Sequence, residues 1–463
     1  MFPISRRQLL QSVSCGFGYM AFAGLANHAA AKEDFDNPLA AKAPQFPAKA
    51  KRVILLCMQG GPSHVDLFDD RPELTKHSGK SPGDVGSGLN AQKGRKLLGS
   101  PFKFSPQGKS GLMMSELWPN LAQHADDLCV INSAFTDVPN HPQAIIQMHT
   151  GNFQFVRPSM GSWVLYGLGT ENQDLPGFVT IKPLDRLGGA QNYGSSFLPA
   201  VYQGTRVGSS SDSAKGVKFG NIKNDEFTEP LQRKQIDLVQ AMNRRLAERQ
   251  EANSEIEGVI ESYELAFRMQ TAVPRLLDIN GETQDTLKRY GINEGGTDDF
   301  GRQCLMARRC AEAGVRFIEL THAGWDQHSG LKAKLTANCR ATDQPIAALI
   351  GDLKARDMLK DTLIIWSGEF GRTPAVKADD GRDHNATGFS MWMAGGGVKG
   401  GHRHGSTDEF GIAAVEDKFH VHDMHATALH LLGLDHTKLT YRYAGRDFRL
   451  TDVFGNVAEK IIA

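Results

Sequence analysis

The chain has 463 residues, of which 40% are hydrophobic and 22% are charged, a composition that excludes a largely disordered protein and favours one large globular domain or two smaller ones. Lysine plus arginine balance aspartate plus glutamate at 52 each, so net charge gives no argument for a nucleic-acid partner or an anionic membrane.

The N-terminus has the pattern of an export signal. Arg6 and Arg7 precede an apolar stretch over residues 13–26 and an Ala-x-Ala site at 29–31, which is typical of the twin-arginine pathway. We predict a signal peptide over 1–31, an Ala-, Lys- and Pro-rich linker over 32–50, and a periplasmic or extracellular protein that engages the twin-arginine translocation machinery. The apolar stretch is short and glycine-rich, so we expect no stable membrane anchor. The alternative is an ordinary cytosolic amphipathic start.

Five cysteines remain after the predicted cleavage site, and no CxxC pair occurs among them. The odd number and the spacing argue against a disulfide framework or a thiolate zinc site. Most of them lie in apolar runs, so we expect packed core thiols.

Four apolar runs predict buried strands at residues 53–58, 128–131, 315–320 and 363–366. They alternate with helical patterns, which favours the α/β class with a mostly parallel central sheet covered on both faces. Within a domain spanning 51–463 we expect a Gly/Ser-rich, mobile or inserted loop over about 188–221. We also expect a helical insertion over about 226–290, interrupted at Pro274.

Acidic and imidazole side chains follow these strands. Because strand ends in such a sheet share one rim, we expect them to converge in one pocket. Carboxylate and imidazole groups suit zinc or manganese better than calcium. The predicted metal ligands are Asp66, Asp326, His328, Glu369 and His384. The structural alternatives are an exposed turn for Asp326 and His328, and a salt bridge to Arg372 for Glu369.

Other polar residues are expected at the pocket wall. His141 precedes Pro142 in extended geometry, before a helix whose N-terminus favours an anion, and Arg372 offers a planar charged fork. Asp383 is expected to orient the His384 ring, since a ligating imidazole usually donates its other N–H to an oxygen. The predicted catalytic residues are His141, Asn140 and Arg372, and the predicted substrate contacts are His64, Ser63 and Asp383.

The order of these motifs resembles the exported, sulfatase-like family catalogued as domain of unknown function 1501, within the alkaline phosphatase and sulfatase superfamily. The resemblance rests on residues 58–66 (MQGGPSHVD), 140–151 (NHPQAIIQMHTG), 324–328 (GWDQH), 368–374 (GEFGRTP), 381–385 (GRDHN), 422–427 (HDMHAT) and 441–448 (YRYAGRDF). It implies a three-layer α/β/α fold and a divalent metal. It also implies that Asn140 or His141 takes the position of the superfamily's nucleophile and Phe370 that of a metal-binding histidine.

Two functions are compatible with these residues. The first is a metal-dependent hydrolase of phosphate or sulfate esters, acting on small or polymeric substrates. The second is a non-catalytic exported module that retains the fold to bind a metal or ligand, or to serve in envelope assembly. The Asp, Glu and His residues favour the first, whereas the missing nucleophile and Phe370 favour the second.

Replacing Arg6 and Arg7 with lysine should leave the uncleaved precursor inside the cell, because the twin arginine is the recognised element of the signal. Fractionation with N-terminal sequencing of the exported chain, expected to begin near Lys32, checks this. Unchanged export of the variant would remove the signal assignment.

Overall fold

A computed structural model of the chain describes residues 37–85, 94–216, 227–249, 254–376 and 380–463. The predicted signal peptide lies outside these residues, as do residues 32–36 of the predicted linker. In the described part of the chain, no helix is both long and apolar enough to cross a membrane.

A nine-stranded sheet forms the centre of the domain, in the order β8-β2-β7-β6-β1-β5-β3-β4, with β9 also pairing with β2. The strands are β1 (Arg52–Met58), β2 (Leu128–Phe135), β3 (Phe178–Ile181), β4 (Thr205–Val207), β5 (Phe317–His322), β6 (Thr362–Ser367), β7 (Phe389–Ala394), β8 (His402–His404) and β9 (Phe419–His420). Only β7 runs antiparallel to its neighbours, β2 and β6. The four predicted strands therefore belong to one mostly parallel sheet, which confirms the predicted fold class.

Ten α-helices of the described residues surround the sheet. They are α1 (His64–Leu67), α2 (Pro72–Lys76), α3 (His141–Thr150), α4 (Met160–Leu168), α5 (Glu229–Arg249), α6 (Ser254–Leu277), α7 (Gln284–Arg289), α8 (Asp298–Glu312), α9 (Leu331–Ala355) and α10 (Val421–Leu431). Successive side chains of a strand point to opposite faces. On β5, Glu319 meets His149 of α3 while His322 meets Phe300 of α8, so these two helices cover opposite faces. The architecture is three-layered, as the resemblance implied.

Apolar side chains on both faces explain why the central strands read as continuous hydrophobic runs. Residues 53–58 of β1 are all buried, and β1 lies between β5 and β6 with Val53 opposite Phe317 and Leu363. Trp366 of β6 and Trp392 of β7 are directly opposite each other, and their rings stack 6.2 Å apart. All five cysteines of the described residues are buried and unpaired, as expected.

Two of the predicted segments differ from the expectations. Residues 205–207, inside the predicted Gly/Ser-rich loop, form the edge strand β4, hydrogen-bonded to β3. The segment 226–290 contains α5, α6 and α7, but Pro274 does not interrupt it, because α6 continues through this residue. Residues 217–226 and 250–253 lie outside the described residues.

The described part of the predicted linker, residues 37–50, is docked on the domain rather than free. Leu39 and Ala50 are buried, and the Leu39 carbonyl accepts a hydrogen bond of 2.9 Å from the Thr170 N–H. The N–H groups of Gln45 and Lys49 donate to Gly433 and Leu431 over 2.8 Å. Composition alone did not reveal this, because only Leu39 of the segment makes a large apolar contribution to the core.

Replacing Leu39 with alanine should lower the free energy of unfolding by about 2–5 kcal/mol, the usual cost of emptying a buried leucine site. Urea denaturation checks this, with Ala41→Ser, at an exposed position of the same segment, as the matched control. Equal stability of both variants and the wild type would indicate that the segment is a linker that does not contribute to the free energy of unfolding.

Candidate metal centre

The loops after β1 and β5 touch at the carboxyl edge of the sheet. Gly60 adopts a φ of 117°, and a Cβ atom at this position would lie 2.4 Å from the backbone nitrogen of Asp326. The Trp325 N–H donates to the Gln59 carbonyl over 3.2 Å. Only glycine therefore lets the two loops approach closely enough to place Asp326 above the end of β1.

A single carboxylate oxygen, Oδ1 of Asp326, is the point on which the side chains converge. It lies 2.6 Å from Nη2 of Arg372 and 3.0 Å from Nε2 of His328. The Nε2 atoms of His384 and His141 each lie 3.3 Å from the same oxygen. Of the predicted ligands, Asp326, His328 and His384 thus come together, and His141, predicted as a catalytic residue at the wall, joins them.

Glu369 is the partner of His141 rather than a member of this group. Its carboxylate is fully buried and accepts both the Gly60 N–H, at 3.0 and 3.1 Å, and Nδ1 of His141, at 2.6 Å. An imidazole that donates from Nδ1 to a carboxylate presents an unprotonated Nε2 when it is neutral. The bond to Glu369 therefore fixes the orientation of the His141 ring, with Nε2 directed toward Asp326.

The other two imidazoles are oriented in the same sense. Nδ1 of His384 donates to the Pro139 carbonyl over 2.9 Å, and Nδ1 of His328 lies 3.8 Å from Oδ1 of Asp383. Each Nδ1 faces an oxygen, which leaves Nε2 directed at the centre of the group. His384 therefore has the arrangement in which histidines bind metal ions, with the second nitrogen held by an acceptor, whereas the His328 contact is longer than a hydrogen bond.

The separations between these atoms fit a small cation. The Nε2 atoms of His328 and His384 are 3.0 Å apart. The Nε2 atoms of His141 and His384 each lie 3.3 Å from Oδ1 of Asp326. Ligands about 2.0–2.1 Å from a tetrahedral zinc ion are about 3.3 Å from one another. Among the described residues, two overlapping groups place their ligand atoms within 4.8 Å of one another: His141, Asp326 and His384, and His328, Asp383 and His384.

Arg372 contacts the group through Asp326, and no pair of its N–H groups is free to bind an anion. Its guanidinium is buried and donates to the carbonyls of Gly61 at 2.9 Å, Arg382 at 3.2 Å and Gly60, as well as to Asp326. Four of its five N–H groups are therefore engaged. The geometry favours a positioning role for Arg372 over the predicted capture of a substrate anion.

Asp66 does not enter the cluster, contrary to our prediction. Its carboxylate forms a bidentate pair with Arg382, at 2.7 and 3.0 Å, and both side chains are fully buried. Ser63 donates its hydroxyl to the same carboxylate, so the predicted substrate contact by Ser63 is not available in this arrangement. Asp66 has a structural role because Arg382 neutralises it, a partner that sequence reasoning missed.

His64 is also turned away from the group. Its Nε2 donates to the Gly411 carbonyl over 2.8 Å, and the whole side chain is buried. Asp383 stays at the rim, where Arg95 holds its Oδ2 at 2.7 Å, and Asn140 is exposed just before α3. Arg95 was missed as well, since it lies in a polar stretch with no local signal.

Phe370 forms an apolar side of the centre. Its ring centroid lies 4.7 Å from those of His141 and His384. The ring packs against two imidazoles at the position where the superfamily resemblance leads one to expect a further histidine. This contact restricts their rotation but supplies no ligand.

The electrostatics follow from these contacts. Burial raises the pKa of Asp326, but the hydrogen bond and charge of Arg372 outweigh it and lower that pKa to about 2. Burial also lowers the pKa of His141, yet the bond to Glu369 and the charges of Glu369 and Asp326 raise it overall. Burial lowers the pKa of His384. Without a cation, His141 is therefore the imidazole of these two that holds a proton more readily.

A family model described as protein of unknown function (DUF1501) matches residues 50–462. The chain belongs to this family. The match covers the whole central sheet and every residue of the candidate centre, and it confirms the resemblance drawn from the motifs. A comparison with curated proteins finds no significant match.

Several solved structures are similar to the DUF1501 chain at low identity. The sulfatase PsFucS1 from Pseudoalteromonas sp. is 12% identical with a TM-score of 0.36, over 83% of this chain and 68% of that one. An alkaline phosphatase superfamily protein from Vibrio parahaemolyticus is 11% identical with a TM-score of 0.36, over 87% and 72%. A lipoteichoic acid synthase from Listeria monocytogenes is 9% identical with a TM-score of 0.37, over 89% and 78%. At these values the similarity carries no argument about activity.

In chelator-treated protein, His141 should titrate above the ordinary histidine pKa of about 6.5, and Glu369→Gln should bring its pKa down, because burial then acts with less opposition. Its folded pKa is raised, so its contribution to stability is fully present below the unfolded pKa and is lost as pH rises through the folded one. Nuclear magnetic resonance titration of the imidazole checks this. An identical His141 titration in both proteins would contradict the assigned pair.

Proposed function

We propose that this protein is a metal-dependent hydrolase of phosphate or sulfate esters, exported by the twin-arginine pathway. The observation that carries the proposal is the convergence of three imidazole Nε2 atoms and one guanidinium on Oδ1 of Asp326. The export part rests on the sequence of residues 1–31 alone.

The residues fit a divalent cation. His141, Asp326, His328 and His384 would hold it, and their nitrogen and oxygen atoms suit zinc or manganese. Unprotonated Nε2 lone pairs that face a carboxylate repel one another unless a proton or a cation lies between them. A bound cation would relieve this repulsion, as would a proton on His141.

A divalent ion at this centre would polarise the ester oxygen and lower the pKa of a water molecule. The protein's own residues keep the centre in shape. Glu369 holds a proton on Nδ1 of His141, and Arg372 holds the Asp326 carboxylate. The His328 side is the open one, since that side chain is about half exposed, so we infer that an ester approaches from there.

One observation favours a binding module as the second candidate. The resemblance puts the superfamily's nucleophile position at Asn140 or His141, and the His141 ring is held by Glu369 at Nδ1 with its Nε2 3.3 Å from Asp326, so neither residue is placed as a nucleophile. Hydrolysis would then depend on an activated water rather than on a covalent step. A protein that binds the metal without activating water would keep the same geometry.

Protein purified without chelator should contain zinc or manganese, and His384→Ala should lose it because one ligand of each candidate group is removed. Glu369→Gln should weaken metal binding by about 10- to 100-fold, since it removes only the partner that orients His141. Elemental analysis and titration calorimetry check this, with His402→Ala, a histidine of β8 outside both candidate groups, as the control. Metal loss of equal size in the control, or no metal in the wild type, would contradict the site.

Activity separates the two candidate functions. The hydrolase should cleave 4-nitrophenyl phosphate or 4-nitrophenyl sulfate in a reaction that stops on chelation, resumes when zinc or manganese is restored, and is absent in His384→Ala. Metal binding without hydrolysis of either ester would overturn the hydrolase and leave the binding module.

A further inference from the structure

Two loops at the C-terminal end of α3 expose large apolar side chains. Residues 152–157 carry Phe155 and Val156, which are 58% and 56% exposed, and residues 451–455 carry Val453 and Phe454, which are 71% and 59% exposed. Helix α3 has ten residues and is therefore about 15 Å long, with His141 at its other end. This surface is thus distinct from the candidate metal centre.

The two loops form one surface. Nε2 of His422 donates to the Gly151 carbonyl over 2.7 Å, and the same ring stacks on Phe454 at 5.1 Å and 10°. The Arg157 guanidinium lies 5.2 Å from the Phe155 ring centroid and 4.5 Å from that of Phe448. We call this surface the aromatic–arginine face; it comprises residues 152–157, 441–455 and Phe197.

Several aromatic rings of this face already have a packing partner on a flat side. Phe197 stacks on Tyr443 at 5.1 Å and 16°, and the guanidinium groups of Arg157 and Arg446 lie over Phe448 at 4.5 and 4.8 Å. A sugar binds an aromatic platform through a free ring face, so this packing reduces the ring area that a polysaccharide could use. The exposed valines at the loop tips likewise offer nothing to a hydroxylated ligand.

The charge of the face is positive, although the whole chain is neutral. Residues 152–157 and 441–455 hold Arg157, Arg442, Arg446 and Arg449 against Asp447 and Asp452, a net charge of two. The Arg442–Asp447 and Arg446–Asp452 pairs are ion pairs, whereas Arg157 approaches the rings of Phe155 and Phe448. A second copy would bring the same positive charge to a symmetric contact, which disfavours self-association. An anionic surface is attracted instead.

We propose that the aromatic–arginine face docks on the surface of an anionic lipid bilayer. The tips at Phe155, Val156, Val453 and Phe454 enter the boundary between headgroups and acyl chains, where amphipathic and apolar side chains gain most. The arginines above the rings stay at the level of the lipid phosphates. The candidate metal centre then lies at the opposite end of α3, away from the bilayer. The proposal does not depend on hydrolysis at that centre.

The full chain is tested by flotation with vesicles of phosphatidylcholine alone and of phosphatidylcholine with phosphatidylglycerol. The apolar stretch at residues 13–26 is common to all variants, so differences between variants report on the face. Phe155→Ser/Phe454→Ser should reduce binding to the anionic vesicles at least about ten-fold, as expected from the loss of two inserted rings. Leu238→Ser/Met242→Ser, which alters side chains of α5 that are 63% and 62% exposed, should leave binding unchanged.

A second variant isolates the electrostatic part. Arg157→Gln/Arg442→Gln should reduce the preference for anionic over neutral vesicles, and added salt should do the same in the wild type. Thermal unfolding of each variant separates lost docking from lost folding. Equal binding by the wild type and Phe155→Ser/Phe454→Ser would overturn the proposal. So would a concentration-dependent dimer that this variant abolishes, or retention on an immobilised sulfated polysaccharide in place of vesicles.

Discussion

The buried guanidinium of Arg372 joins the parts of the chain that build the candidate centre. It donates to the carbonyls of Gly60 and Gly61 after β1, to Arg382 from the loop before β7, and to Asp326 after β5. Burial lowers its pKa, so the charge is stable only because carbonyl dipoles and a carboxylate surround it. Removing Arg372 would leave these oxygens facing one another and would release Asp326 from its place.

Helix α3 connects the core of the domain to the candidate centre and positions His141 there. Its first residue is His141, and near its end the buried His149 lies with Nε2 3.3 Å from Glu319 of β5. The carbonyls of Met148 and Gly151 accept from His425 and His422 of α10 at 2.7 Å. The histidine-rich region around α10 therefore closes the C-terminal end of α3, where unsatisfied carbonyls attract such donors. Contacts at both ends of α3 therefore hold His141 in place beside Glu369.

The parts of this structure that periodicity encodes could be predicted, and the parts that depend on partners distant in sequence could not. The strands near 53–58 and 363–366 are buried on both faces, and their apolar runs show it directly. Asp66 looked like a ligand because it follows such a strand. It pairs instead with Arg382, 316 positions away, and no local pattern reports that contact. Glu369 was expected among the ligands because a carboxylate at a strand end suits either role, and only its distance to His141 distinguishes them.

The balance of charge at the centre makes a proton and a cation competitors for the same place. Asp326, Glu369 and Asp383 are offset by Arg372 and Arg95, which leaves one negative charge if all three imidazoles are neutral. A proton shared between Nε2 of His141 and Asp326 restores neutrality, and the raised pKa of His141 reflects that preference. A divalent ion bound here would compensate the same charge and would require Nε2 to be free, so cation binding would displace the proton and would strengthen as pH rises. The carboxylates that hold His141 in position would therefore also set the pH above which the candidate centre could accept a metal.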